Sequence, residues 1–450
     1  MLNLPTKCYF LNILGHFYPF FFNTTYRMVA FAAVSFAEGI TFGAWMRALA
    51  APVANDGKDT ITTAGNSWGG AARVGGVDIV GTAPDGNAGF IMSYRNMADM
   101  SMSAGDQANL WVKPIDMVKL SYGKYDNGTL MGGVCYGSWN WIRPNDAWIG
   151  GDEDLLMSKN GDTGLMAEIT PMEGLYVQVL APITNANIKA GDTYKKLRAG
   201  FAYEVPGLVK VKGQYIGKGA AKASDEEKAK LVTALANATA GGYDWKDADD
   251  DPSTAPTWTA LDPDPKAIKA AAKALADADG NSNCTLEAEV DVLAVEGLFA
   301  GVGFQYNTIK DGKDYSPDSV KTKIALGASY QVMPELKVSA NGAYFMYYGE
   351  KVDPRFQAGV GFDYDLGDGL AANADFRYVS PVKNDGKKVD DTDHMAFSVG
   401  VVKSVSSNGK LGVAFQGMTN SGDFATFEGK TKDGDAKFVW AIPVMFEVAF

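Results

Sequence analysis

The amino-acid sequence predicts an all-β fold: a transmembrane antiparallel β-barrel of about 18 strands, with about 16 as the next choice, and a small helical insertion in one extracellular loop. Three observations lead there. From Gly39 to Phe450, short segments alternate apolar and polar residues with period two, the signature of strands whose successive side chains face opposite ways. The connections between those segments alternate short and long along the chain. After residue 37 no apolar run approaches the ~20 residues that a spanning helix needs, so only a closed barrel could carry this chain through a bilayer.

Composition narrows the classes further. The chain has 450 residues, enough for one large barrel, with 51 Gly, 20 Tyr and 23 Phe but only 21% charged residues. Mean hydropathy is −0.10, far from that of a helical membrane protein. A net charge of −12 and a pI near 4.8 argue against nucleic acid as a partner. The three cysteines, Cys8, Cys135 and Cys284, form no CxxC, which excludes zinc ribbons and thioredoxin-type redox motifs. Cys135 and Cys284 read as two separate thiols, with a disulfide between them as the alternative.

In chain order, residues 1–37 come first and read as a targeting leader. Arg27 precedes the apolar "MVAFAAVSFA", which closes on Ser35-Phe36-Ala37, an A-x-A-like cleavage site. Residues 38–450 are then the barrel. Its first strand, "ITFGAWMRAL", sets Ile40, Phe42, Ala44 and Met46 against Thr41, Gly43 and Arg47. Later strands are cleaner: "TLEAEVDVL" opposes Leu286, Ala288, Val290 and Val292 to Glu287, Glu289 and Asp291. In "RFQAGVGFDYDL", Phe356, Ala358, Val360, Phe362 and Tyr364 oppose Gln357, Gly359, Gly361, Asp363 and Asp365. "ANADFRYV" opposes Ala372, Ala374, Phe376 and Tyr378 to Asn373, Asp375 and Arg377.

A barrel of so many strands encloses a lumen too wide for side chains to fill, so the apolar face is expected to look out into lipid and the polar face to line water. The short connections are "TAPDGNA", "KPID", "PMEG", "VPG", "VEG", "MPE", "GDG" and "SSNG". The longer ones include Tyr125–Asp162 and residues 217–283. Tight turns on the periplasmic side and long loops outside are the pattern of transmembrane barrels, and an even strand count puts both termini in the periplasm. Residues 217–283 break the strand pattern with "SDEEKAKLVTALANATA" and "DPKAIKAAAKALADADG", two Ala-rich helices. Ser224 is placed as the N-cap, with Glu227 three residues on and Gly280 as the stop.

The chain ends on "AKFVWAIPVMFEVAF", in which Phe438, Trp440, Ile442, Val444, Phe446, Val448 and Phe450 share one face of a strand. Pro443 departs from the ideal, because it removes a ladder hydrogen bond and marks an edge or bulge. The terminal "FEVAF", with Phe446, Val448 and Phe450, resembles the last strand of bacterial outer-membrane porins, where a final Phe serves as a recognition tag for barrel insertion. "GAWMRALAAPV", starting at Gly43, is similar to the first strand of porin-like proteins of spirochaete outer membranes. The resemblance spans Gly39 to Phe450. It implies outer-membrane lipid and the barrel assembly machinery as partners, small hydrophilic solutes as cargo, and it admits a homotrimer. It also implies that the third external loop, here Tyr125–Asp162, folds into the barrel as a constriction. That loop holds Trp139, Trp141, Arg143, Trp148 and the run Asp152-Glu153-Asp154. A loop packing over the mouth is the alternative, and the three Trp could also stack on sugar rings.

The lumen-facing charges are Arg47, Lys196, Arg198, Lys210 and Lys212 on the basic side, and Glu287, Glu289, Asp291, Asp363, Asp365 and Asp375 on the acidic side. They either supply the polar lining any water-filled lumen needs or segregate by sign into a transverse field that selects solutes. Catalysis finds no support, since His394 alone remains beyond the leader's His16 and cannot furnish a triad. "GDGLAA" fits a dinucleotide fingerprint but precedes an alternating segment, so it reads as a hairpin turn. "DADGNSN" (Asp277, Asp279, Asn281, Asn283) is a weak calcium candidate against a solvated helix end, and no cofactor is expected. The expected function is a porin for passive diffusion, not an enzyme. A surface-exposed adhesin or matrix-binding barrel is the first alternative, and a channel specific for sugars or apolar molecules the second.

Overall fold

The computed structural model describes residues 39–55, 57, 59–65, 73–97, 102–132, 156–184, 190–220, 225–240, 242–246, 257–261, 265–269, 271, 282–308, 320–348, 352–420 and 438–450. Nineteen strands join one antiparallel sheet, and eighteen of them close a circuit. They are β1 (Ile40–Asn55), β2 (Arg73–Thr82), β3 (Ala88–Met97), β4 (Met102–Ile115), β5 (Val118–Lys124), β6 (Thr163–Met172), β7 (Leu175–Ala181), β8 (Arg198–Val205) and β9 (Val209–Ala220). The second half comprises β10 (Ser282–Val292), β11 (Leu298–Asn307), β12 (Val320–Met333), β13 (Leu336–Tyr347), β14 (Arg355–Gly367), β15 (Leu370–Val379), β16 (His394–Ser404), β17 (Gly409–Thr419) and β18 (Phe438–Ala449).

Each strand pairs with the next in sequence, and β1 pairs with both β2 and β18. The seam runs from Trp45 opposite Ala449 to Asn55 opposite Trp440. Its last hydrogen bonds join Phe450 N–H to the Ala44 carbonyl at 2.7 Å and Ala44 N–H to the Phe450 carbonyl at 3.0 Å. Pro443 has its expected effect. The β1 register shifts between Ala50 and Val53, where β18 passes a residue with no N–H to give.

Burial is inverted relative to a water-soluble sheet. On β10, Thr285, Glu287, Glu289 and Asp291 are buried while Leu286, Val290 and Val292 are exposed. On β18, Phe446 and Val448 are exposed and Glu447 is buried. The exposed set includes Phe356, Phe362, Phe376, Phe415, Leu326 and Val399 from strands all along the second half. Only a solvent that prefers hydrocarbon makes that arrangement favourable, so the outer belt is the lipid face.

All eight expected short connections close hairpins at one end of the barrel. The turn Val205–Leu208 shows why: Pro206 presets its own φ, Gly207 takes φ 69°, and Leu208 N–H reaches the Val205 carbonyl at 3.0 Å. The start of β1 (Ile40 opposite Gly81) and the C-terminus (Ala449 N–H on the Asn408 carbonyl) lie at this short-turn end. The "GDGLAA" stretch is likewise a turn leading into β15.

Several details depart from the sequence reading. The connection 98–101 is short although it lies on the long-loop end. Thr60–Gly65 forms an extra strand that pairs with the far end of β1. His394, the one histidine beyond the leader, opens β16, with Nδ1 3.3 Å from the Thr419 carbonyl. Residues 185–197 and 216–285 cluster as a compact unit of their own. That unit contains the expected helix Asp225–Ala240, an unforeseen five-residue helix Ala190–Tyr194, and an unforeseen hairpin pairing Gly242–Lys246 with Thr257–Leu261. Of the second expected helix, residues 265–269 are helical; Ser224, Gly280 and the calcium candidates Asp277, Asp279 and Asn281 lie outside the described residues. So do the leader 1–37 and Cys135.

Candidate functional site

The inward face of the barrel and the third long connection together form the site. Two legs of that connection are described, residues 125–132 and 156–162. Three backbone hydrogen bonds zip them together: Tyr125 N–H to Asp162 O at 2.9 Å, Asn160 N–H to Asn127 O at 3.0 Å and Gly132 N–H to Met157 O at 2.7 Å. The zipped legs lie inside the barrel, against the wall.

Contacts follow the strand order. Tyr125 packs with Met166 and Leu180 and donates its hydroxyl to the Gly164 carbonyl at 3.2 Å, on β6 and β7. Asn127 Nδ2 donates to Gln178 Oε1 on β7 at 2.9 Å. Leu130 and Met157 bury against Ala202 on β8. Lys212 Nζ on β9 donates to the Met131 carbonyl at 3.3 Å, and Gln214 Nε2 donates to the Ser158 carbonyl at 2.9 Å. Leu156 packs among Phe299, Val320, Ala325, Ala343 and Phe345 on β11 to β13. Gly303 makes that seat: a Cβ there would run into the Leu156 carbonyl. The legs thus form a belt along the wall from β6 to β13.

Within this belt sits a buried polar node. Glu287 on β10 accepts hydrogen bonds from Ser158 N–H at 3.1 Å, from Ser158 Oγ–H, from Gln214 Nε2 and from Gln305 Nε2 at 2.8 Å. One position up the same face, Glu289 takes Lys212 at 2.8 Å, and Asp291 lies 3.6 Å from the same ammonium. Lys210 lies 3.8 Å from Glu204. Arg198 reaches Asp162 at 2.6 Å and also donates to the Gly161 carbonyl.

These pairs correct the segregated-charge reading. The bases Arg198, Lys210 and Lys212 do not face distant acids across the pore; each meets an acid on its own hairpin, an adjacent strand or the returning leg. Lys196 is not on the wall at all, because it lies exposed in the turn before β8 begins. Asp365 also leaves the wall. It is exposed at the short-turn rim, where its Oδ1 accepts the Gly367 N–H at 2.8 Å. Asp363 is half-buried on the inward face, and Asp375 is buried, with Ser398 Oγ donating to it at 3.4 Å. The loop residues Trp139, Trp141, Arg143, Trp148, Asp152, Glu153 and Asp154 lie outside the described residues.

The other half of the wall carries Arg47, which the sequence placed in the lumen, together with charges the sequence reading passed over although their inward parity was visible. Arg47 pairs with Glu447 at 2.6 Å across the seam, and Lys410 joins the same carboxylate at 3.2 Å. Arg95 bridges Asp78 at 2.9 Å and Asp106 at 3.3 Å. Trp45 lies between the two arginines, with its ring centroid 4.7 Å from the Arg47 guanidinium carbon and 5.8 Å from that of Arg95. Lys119 and Glu168 pair at 2.7 Å, and Tyr176 donates to Glu168 at 2.8 Å. Among the described residues no group of three His, Cys, Asp or Glu is arranged to hold a metal ion.

No family model matches the chain, and no curated protein matches it. Among solved structures it is similar to an anion-selective porin from Comamonas acidovorans, at 12% identity and a TM-score of 0.47, over 91% of this chain and 99% of that one. It is also similar to OmpT, an outer-membrane protein of Vibrio cholerae, at 13% identity and 0.40 over 93% and 100%. A mutant of the Rh. blastica porin aligns at 12% identity and 0.41 over 91% and 100%. The closed pairing circuit, not these likenesses, defines the fold. The chain is an 18-stranded antiparallel β-barrel with an apolar outer belt and an ion-paired lumen, and the solved structures it is similar to include bacterial porins.

Proposed function

We propose that this barrel is an outer-membrane pore through which small hydrophilic solutes diffuse passively. The supporting observation is the inversion of burial around the circuit: charged and amide side chains face in, apolar ones face out. Barrels of about 16–18 strands leave an aqueous channel, and such a wall keeps that channel wet. The belt of the third long connection narrows the passage on one side. In this reading the short-turn end faces the periplasm and the long-loop end faces out of the cell. Because bases and acids pair side by side along the described wall, discrimination between ions is weak.

Purified barrel in a planar bilayer should give steady open channels of ohmic conductance. A folded, inserted barrel that stays silent would remove the pore reading. In that case the compact unit with helix Asp225–Ala240 favours the second reading, a surface adhesin anchored by the barrel, checked by binding of whole cells to immobilised matrix protein before and after deletion of residues 217–283.

A further inference from the structure

Glu287 stands out on the wall. Its neighbours on the same face, Glu289 and Asp291, meet an ammonium, whereas the hydrogen bonds to Glu287 come from neutral donors. Two of the four come from Ser158 on the returning leg, one from Gln214 on β9 and one from Gln305 on β11. An ionised carboxylate offers about four acceptor sites and no donor, so this set of donors fills it. Gln214 also donates to the Ser158 carbonyl, so Ser158 is held by its N–H, its hydroxyl and its C=O at once. At its far end the leg is tied by Arg198 to Asp162 and Gly161; the anchors next to Ser158 are weaker or of another kind. Leu156 and Met157 bury apolar surface, and Lys212 gives one 3.3 Å bond to Met131.

We propose that Glu287 is the positioning residue that sets the open cross-section of the lumen, by pinning the leg 156–162 to the wall through Ser158. The role rests on the pore reading for its consequence in transport, but not for the hold itself. Charge-assisted hydrogen bonds are about twice as strong as neutral ones, and removing their shared acceptor strands several donors at one stroke. With the hold gone, the stretch around Ser158 keeps the Gln214 bond to its carbonyl and the burial of Leu156 and Met157, while Arg198 still ties the far end at Asp162, so the middle of the leg samples positions farther into the passage.

Two substitutions separate holding from charge. Glu287→Ala removes both. Glu287→Gln removes the charge but keeps a hydrogen-bonding end, because its oxygen still accepts from Ser158 and Gln214, and its NH2 can donate to Ser158 Oγ and to a rotated Gln305 amide. Amide exchange at Ser158 in the detergent-solubilised barrel should quicken by roughly ten- to a hundredfold in E287A and much less in E287Q. Single-channel records of E287A should break into substates, while E287Q stays near the parent trace. Asp375→Asn serves as the charge control, since Asp375 is on β15, away from the legs, and it should leave Ser158 exchange unaltered. If E287A does not fold, Ser158→Ala, which strips one bond from the loop side, should give the same direction at smaller size. Identical behaviour of E287A and E287Q would show a charge effect and overturn the proposal, as would unchanged Ser158 exchange in E287A. A silent parent barrel would instead sink only the pore reading, because the exchange measurement still reports the hold.

Discussion

Single residues carry the lumen's stability, and Lys212 is the sharpest case. Its ammonium meets Glu289 at 2.8 Å, with side chains only 6% and 0% exposed. Removing one partner of such a pair leaves a buried charge without its counter-ion, a loss of about 3–5 kcal/mol, whereas replacing both with apolar groups of similar volume costs far less. Lys212→Ala should therefore lower the urea midpoint of the folded barrel markedly, and the double change Lys212→Met with Glu289→Leu should regain part of it, because Asp291, 3.6 Å from the same ammonium, is left without it. Equal destabilisation by both would mean the pair is not coupled. Gly303 offers a second test at this scale. A side chain there meets the Leu156 carbonyl, and both are backbone-bound, so neither yields cheaply. Gly303→Val should cost about 1–3 kcal/mol and displace the leg, read as altered channel conductance alongside a lower midpoint.

At the scale of elements, parity was readable and height was not. Period two separated the two faces of "TLEAEVDVL" and of "RFQAGVGFDYDL" as far as Asp363, with Phe356 and Phe362 exposed and Gln357 buried, but it failed at Asp365, which lies on the short-turn rim. It could not tell that Lys212 stands level with Glu289, because β9 and β10 are joined through a long connection that fixes no register. The legs of the third connection were hidden for another reason. "YDNGTLMGG" and "LLMSKNGD" have no period, and their place on the wall comes from glycines and small residues on other strands, such as Gly303 and Ala202. The last strand was legible almost throughout. Its final residue closes the seam with both backbone groups while its ring faces out. Phe450→Ser keeps those backbone bonds, so the assembled barrel should lose little stability, whereas its proposed role as insertion tag predicts a several-fold fall in surface level. Normal surface level of the variant would end the tag reading.

The whole molecule poses a question of balance. Around the described wall, bases and acids are interleaved, with Arg47, Arg95, Lys119 and Lys212 each lying within 4 Å of an acid, so much of the charge is compensated locally. Selectivity should then be weak in the parent and sensitive to breaking one pair. Glu447 is the informative target, because it serves both Arg47 and Lys410. Glu447→Gln leaves two cations over one neutral amide and should move the reversal potential in a salt gradient toward anions. The shift should fade near 1 M salt, where the Debye length is about 3 Å. No shift at low salt would mean that permeating ions pass beyond reach of this part of the wall.

The seam also has a kinetic meaning. Trp45 finds Ala449 only after nearly the whole chain has been made, so the contact that completes the circuit is among the most distant in sequence. Until then β1 and β18 both present bare backbone edges, the kind that recruit other strands. Every other ladder can form between sequence neighbours, but none of them removes those two edges. The chain therefore spends its assembly time as an open sheet whose lifetime is set by its slowest event, and any escort that masks the edge of β1 until Phe450 arrives would act on that clock alone, leaving the finished barrel unchanged.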